Sequence, residues 1–225
     1  MAVLHHYSFC PHSRFIRLSL SEMGIASESA EERPWDRDPA YLELNPSGTT
    51  PVLCEAELAV PGANVIAEYL DETHGAALNG RRLLPQDASA RVEVRRLVDW
   101  FNAKFFEEVT SYLLEEKFLK RFRRGASPDA AAIRVARANL RYHLRYIGYL
   151  AGTRNWLAGD TLTYADLAAA AHLSCVDYLG DVPWDEDEGA RDWYARVKSR
   201  PAFRPILADR IPGVPPAEHY ADLDF

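Results

Sequence analysis

The chain has little cysteine. Cys10, Cys54 and Cys175 are its only three in 225 residues, widely spaced, with no CxxC pair and no zinc-ligand spacing. That excludes a disulfide framework and a cysteine-based zinc site, and scattered reduced thiols point to the cytoplasm. Long apolar runs are missing as well. No window approaches the roughly 18 apolar residues of a membrane helix, and the most apolar stretch, 162–173, is broken by Asp166, so no membrane span is expected. The start, Met1-Ala2-Val3-Leu4-His5-His6, has no basic segment leading into an apolar one, so no signal peptide is expected. Net positive charge is the third absence. Lys and Arg number 26 against 33 Asp and Glu, a net charge of −7 that argues against bulk nucleic-acid binding.

What is present is ordinary globular material, 48 % hydrophobic and 26 % charged, enough for one large domain or two small ones. The charge is uneven. Between Lys117 and Arg145 nine basic residues stand against the single acid Asp129, a local balance of +8, leaving −15 for the rest. Such a bipolar chain favours acidic partners at one surface and repels them elsewhere.

A short apolar strand over 3–8 runs into Phe9-Cys10-Pro11-His12-Ser13, and a helix carries Phe15 and Leu18 to a stop at Gly24. A weak strand over 26–32 and a short helix from Asp38-Pro39 to Asn45-Pro46 follow. Two short strands, 52–54 and 58–60, then turn at Pro61-Gly62 into a helix over 63–73. Strand, helix, strand, helix, strand, strand, helix is a thioredoxin-like α/β order, expected over 1–78, with a linker at 79–85. Residues 86–210 read as all-helical. An apolar row at Val94, Leu97, Phe101 and Phe105 marks a helix from Ala88 to about Arg124, and Asp129 opens the next. Thr163-Tyr164-Ala165-Asp166 is a capping box ahead of another. An extended, proline-rich tail is expected over 211–225, because its prolines disfavour helix.

Three segments resemble glutathione transferases, over about residues 3–208. Asn45-Pro46-Ser47-Gly48-Thr49-Thr50-Pro51-Val52-Leu53 resembles that family's loop to its cis-proline. Ile66-Ala67-Glu68-Tyr69-Leu70-Asp71-Glu72 resembles its third helix, and Asn155-Trp156-Leu157-Ala158-Gly159-Asp160 with Thr163 and Asp166 its helical-domain folding motif. The resemblance implies a thioredoxin-like domain followed by an all-helical domain, and a homodimer. Within the family, the helical domain, Asp181-Val182-Pro183-Trp184 and the tail ending Asp222-Leu223-Asp224-Phe225 are similar to the glutathione-transferase-like proteins of bacterial cell division. That implies a protein partner, FtsZ, in place of a cofactor.

Cys10 aligns with the cysteine of Cys-type transferases. A thiol ahead of a helix is acidified by free backbone N–H groups and the helix dipole. Ser13 stands where a resolving cysteine would be, so no internal disulfide can form there. Cys10 is therefore either a glutathione-linked thiol, with Ser13 beside it, or an inherited idle residue. With Pro11, Thr50 and Pro51 it outlines a glutathione site, and the resemblance implies a cis Thr50–Pro51 bond. Gly62 and Ala63, however, stand where the family places an acid and a serine that hold the γ-glutamyl group. Each missing charge-assisted hydrogen bond removes roughly 1.5–3 kcal/mol. The site is expected to be degenerate, with glutathione bound only if the chain is a transferase after all.

Arg134, Arg137, Arg141 and Arg145 fall within an arc of about 80° on one helix, beside Ile133, Leu140, Leu144 and Ile147, which read as core. The row is either a solvated face or a docking face for carboxylates. The tail residues Asp222, Leu223, Asp224 and Phe225 are either a second contact or a cover over the row. His5, His6, His143 and His172 read as structural, and no metal site is expected.

Overall fold

The computed structural model describes residues 2–223. Strand β1 (Ala2–His6) pairs in parallel with β2 (Ser27–Glu31) and antiparallel with β3 (Val52–Glu55), which pairs antiparallel with β4 (Leu58–Pro61). The sheet order is β2-β1-β3-β4. Helix α1 (Pro11–Met23) crosses from β1 to the parallel β2, as a parallel pair requires. Pro11 occupies its first turn, and Gly24 closes it at φ 71°, a left-handed cap that glycine adopts without strain. Helix α2 (Pro39–Leu44) is started by Asp38, whose carboxylate accepts the N–H groups of Ala40 and Tyr41. Helix α3 (Ala63–His74) follows β4.

Leu4, Leu53 and Val60 of the sheet pack with Phe15, Leu18, Ile66 and Leu70 of α1 and α3, all buried. That core continues unbroken into the second domain through Val94, Leu97, Phe101 and Phe105, each at most 1 % exposed. The connection is pinned where buried Asp71 accepts a bidentate pair from Arg82, at 2.6 and 2.7 Å, and a further bond from Arg91.

The second domain holds α4 (Ala88–Asp99), α5 (Ser111–Lys117), α6 (Ala130–Thr153), α7 (Tyr164–Tyr178), α8 (Glu188–Lys198) and α9 (Arg204–Ala208). The helix expected from 88 to about 124 departs from a regular α-helix in two ways. Residues Trp100–Thr110 between α4 and α5 form π-helical turns, and the α-helix ends at Lys117 before the 3₁₀ turn Leu119–Phe122. Every residue of α7 is buried. Its run Ala168-Ala169-Ala170-Ala171 admits close neighbours, and it packs against α1, joining the two domains.

The tail is less extended than its prolines suggest. Ile211, Val214 and Tyr220 are buried in a second cluster with Phe9, Phe118, Cys175 and Tyr178, and Glu218–Ala221 form a 3₁₀ turn. No described helix is long and apolar enough to cross a membrane. Among the described residues, no cluster of His, Cys, Asp and Glu could hold a metal ion.

Candidate functional site

Cys10 is the N-cap residue of α1, half-buried, with its thiol directed at the carbonyl oxygen of Thr50, 3.7 Å away. The Thr50–Pro51 peptide is cis. Burial raises the Cys10 thiol, but a hydrogen bond to His12, the charge of His12 and the backbone N–H of Ser13 outweigh it and bring the pKa to about 7. Burial lowers His12 in turn, yet the same thiol and the carbonyl of Asn102 raise it on balance. Asn102 lies in the π-helical turns, where its carbonyl takes His12 Nε2 at 2.9 Å. A carbonyl can only accept, so Nε2 carries the proton and Nδ1 is the bare nitrogen of the neutral ring.

Cys10, Pro11, Thr50, Gly62 and Ala63 line one cleft of about 450 Å³ between the domains. Its walls are aromatic and aliphatic: Phe9, Trp35, Phe106, Leu114, Phe118 and Leu119. Tyr7 meets Trp35 edge-on at 5.0 Å and lies 6.2 Å from Phe118. Ser13 is brought near, but not as a side chain in the cleft. It is fully buried with its Oγ accepting the Tyr7 N–H at 3.2 Å, and only its backbone N–H serves the thiol. At the far side Gly62 caps α3 with φ 90° and ψ 136°, and Ala63 is its first residue. Neither offers a side-chain polar atom to the cleft. Sequence reasoning missed His12 and Asn102. His12 at the second position after the cysteine was the available signal; Asn102, 90 residues further on, left none.

The arginine row lies on the outer face of α6. Arg134, Arg137, Arg141 and Arg145 are all exposed, while Leu140, Leu144 and Ile147 are buried as expected. The row is not wholly unrelieved. After α7 the chain turns so that Asp181 pairs with Arg137 at 2.6 Å and with Lys117 at 2.6 Å, and Glu186 pairs with Arg141 at 2.8 Å. Arg134 and Arg145 have no ion pair among the described residues. Exposed Val135, Tyr142 and Tyr149, seven residues apart, run alongside them. The described part of the tail packs on α1, α7 and α9 through Tyr220, not across α6. Asp222 and Leu223 are exposed, and Asp224 and Phe225 lie outside the described residues.

Family models for the glutathione S-transferase N-terminal and C-terminal domains match residues 9–73 and 107–201. Over 226 aligned residues, 99 % of this chain and 97 % of the relative, the sequence is 48 % identical to FtsZ-localized protein A of Caulobacter vibrioides. The chain belongs to the glutathione S-transferase family. Solved structures of the family superpose closely. A glutathione S-transferase from Sinorhizobium meliloti has a TM-score of 0.96 and 48 % identity, covering 100 % of both chains. FzlA from C. crescentus has a TM-score of 0.94 and 47 % identity, covering 100 % of this chain and 99 % of its own. The glutathione S-transferase fold thus accounts for both domains and for the cleft between them.

Proposed function

We propose that this glutathione S-transferase-family chain is an interaction protein of bacterial cell division that binds FtsZ filaments in the cytoplasm. The observation that carries the reading is the 48 % identity, end to end, with a protein named for its localisation to FtsZ. Two features of the chain support it. The γ-glutamyl end of the glutathione site has no side chains to bind with, and the outer face of α6 joins arginines to exposed Tyr142 and Tyr149 over 24 residues without one acid. Arginine forks suit carboxylates and exposed tyrosines suit a partner's apolar side chains, a pairing typical of interface centres. Asp222, Leu223, Asp224 and Phe225 of the tail supply a second contact. A homodimer would use the exposed Val65 and Val92 of α3 and α4, which sedimentation analysis can test.

Co-sedimentation with polymerised FtsZ tests the main reading. Arg134→Glu with Arg145→Glu should abolish co-pelleting, and added salt should weaken that of the parent, since exposed charges are screened. Arg137 and Arg141 are poorer probes, because reversing Arg137 would set a carboxylate against buried Asp181. A parent protein that stays in the supernatant contradicts the reading. A second reading, thiol transfer or conjugation by Cys10 with glutathione, is favoured by the acidified thiol beside Thr50–Pro51. Retention on immobilised glutathione would support it.

A further inference from the structure

We propose that the outer face of α6 seats one acidic, amphipathic α-helix of a partner protein, packed lengthwise along it as in a two-helix coiled coil. On the reading above, on which this rests, FtsZ supplies that helix. Helix α6 commits its inner face to the core through Ala136, Leu140, Leu144 and Ile147. Its outer face divides into two parallel stripes. At about 100° per residue, Arg134, Arg137, Arg141 and Arg145 span about 80°, and Val135, Ala138, Tyr142 and Tyr149 span about 60° beside them. All eight are exposed, Val135, Tyr142 and Tyr149 each by more than half.

The spacing selects the shape of the occupant. Val135, Tyr142 and Tyr149 recur every seven residues over about 21 Å, the repeat that keeps one seam against a neighbouring helix. A helix laid there at a shallow angle meets the seam with residues three and four apart. A strand would cover the same length with about six residues and turn every second side chain away. Charge selects the sign. Helix α6 carries no acid. Arg137 and Arg141 are tied to Asp181 and Glu186, but Arg134 and Arg145 have no ion pair among the described residues. They stand about 16 Å apart along the axis and about 20° around it, so carboxylates at the same spacing on a facing helix meet both.

Other occupants fit less well. A second copy of α6 would set arginine against arginine. A flat anionic membrane would meet Glu186, 43 % exposed beside Arg141, and its exposed neighbours Asp185 and Glu188. A slim helix centred on the apolar stripe lies away from these acids, which sit at the Arg137 and Arg141 edge.

The test uses the full chain and a fluorescent synthetic probe, a helical peptide of about six turns. It carries leucine at steps of three and four residues and glutamate along one flank. A control of the same composition places leucine at every second residue, the pattern of a strand. Fluorescence anisotropy should show saturable binding of the probe, at least about tenfold tighter than that of the control. Arg134→Glu with Arg145→Glu should weaken it at least about tenfold, since like charges then face each other. Tyr142→Asp should do the same from the apolar stripe. All three side chains are exposed, so circular dichroism should show both variants folded. The probe should also displace the chain from polymerised FtsZ. Equal affinity for probe and control, binding to phosphatidylglycerol vesicles in place of the probe, or unaltered probe binding in both variants would each overturn the proposal. A chain that co-pellets with FtsZ yet ignores the probe overturns the helix seat and leaves the FtsZ reading standing. One that binds the probe but not FtsZ supports the seat and contradicts the FtsZ reading.

Discussion

The guanidinium of Arg14, with none of its surface exposed, donates from Nη1 to the hydroxyl of Tyr220 at 3.3 Å, joining the first helix to the tail. The same nitrogen reaches Ser174 at 2.9 Å, Nε reaches the carbonyl of Ser8 at 2.9 Å, and Asp209 stands 3.5 Å from Nη2. A buried charge must be paired and hydrogen-bonded to be tolerated. The tail therefore completes the core below the thiol cleft.

Tyr220→Phe removes one acceptor from Arg14 and the donor that meets the carbonyl of Ile206 at 3.2 Å. It should destabilise the protein by about 1–3 kcal/mol. Tyr220→Ala adds a cavity and should lose about 3–5 kcal/mol. Urea unfolding measures both, and a loss below about 1 kcal/mol for the alanine variant would contradict the tail's place in the core.

The capping box reaches further than its sequence pattern implies. Asp166 Oδ2 accepts the Thr163 N–H at 3.0 Å as expected. Its Oδ1 also accepts the Leu157 N–H at 2.9 Å and Trp193 Nε1 at 3.0 Å, all in the interior. Losing one cap is worth about 1 kcal/mol, but two more buried donors would be stranded at roughly 1–3 kcal/mol each. Asp166→Ala should therefore cost at least about 3 kcal/mol in chemical denaturation. A change confined to about 1 kcal/mol would reduce the residue to a simple cap.

Acid should unfold the protein through its buried histidines. His172 is fully buried between Thr110, at 3.1 Å, and Asn102, at 3.2 Å. Burial first, and the charge of His12 second, hold its pKa well below 6.5. The native state then binds fewer protons than the unfolded chain below that pH, so stability is full above 6.5 and falls as pH drops. His6 and His143 act in the same direction, while His12 and His219, both raised, oppose it. The urea midpoint should drop between about pH 7.5 and pH 5.5, and His172→Gln should lessen that drop. An identical drop in the variant would assign the acid sensitivity elsewhere.

The elements with strong periodicity or punctuation were legible before any coordinates. Pro11 and Gly24 bracket α1, Asp129 opens α6, Thr163 and Asp166 cap α7, and Val94, Leu97, Phe101 and Phe105 are core. The π-helical turns at Trp100–Thr110 were not, because their side-chain spacing still resembles an α-helix locally. Partners distant in sequence were equally hidden. His12 meets Asn102 and Arg137 meets Asp181 only once the chain has folded, so the carbonyl that holds the His12 ring and the partial neutralisation of the arginine row left no local pattern. The buried tail was masked by its prolines, which forbid helix but not packing.

Glutathione binding follows from one corner of the cleft. With Gly62 and Ala63 where the resemblance places the γ-glutamyl partners, both side-chain bonds would be missing, which at about 1.5–3 kcal/mol each implies affinity at least about 100-fold weaker, since about 1.4 kcal/mol is tenfold. No saturable binding is expected below roughly millimolar concentration by calorimetry. Ala63→Ser places a hydroxyl on the first residue of α3, beside its free N–H groups, and should raise affinity. Gly62→Glu restores the acid at a backbone φ of 90° that non-glycine residues rarely adopt. Open space around its Cβ admits the side chain, but the strain should lower stability by about 1–3 kcal/mol. The double variant should therefore bind glutathione more tightly and unfold at lower urea than the parent. A micromolar dissociation constant for the unaltered chain would mean that backbone groups and the α3 dipole suffice to hold the γ-glutamyl end.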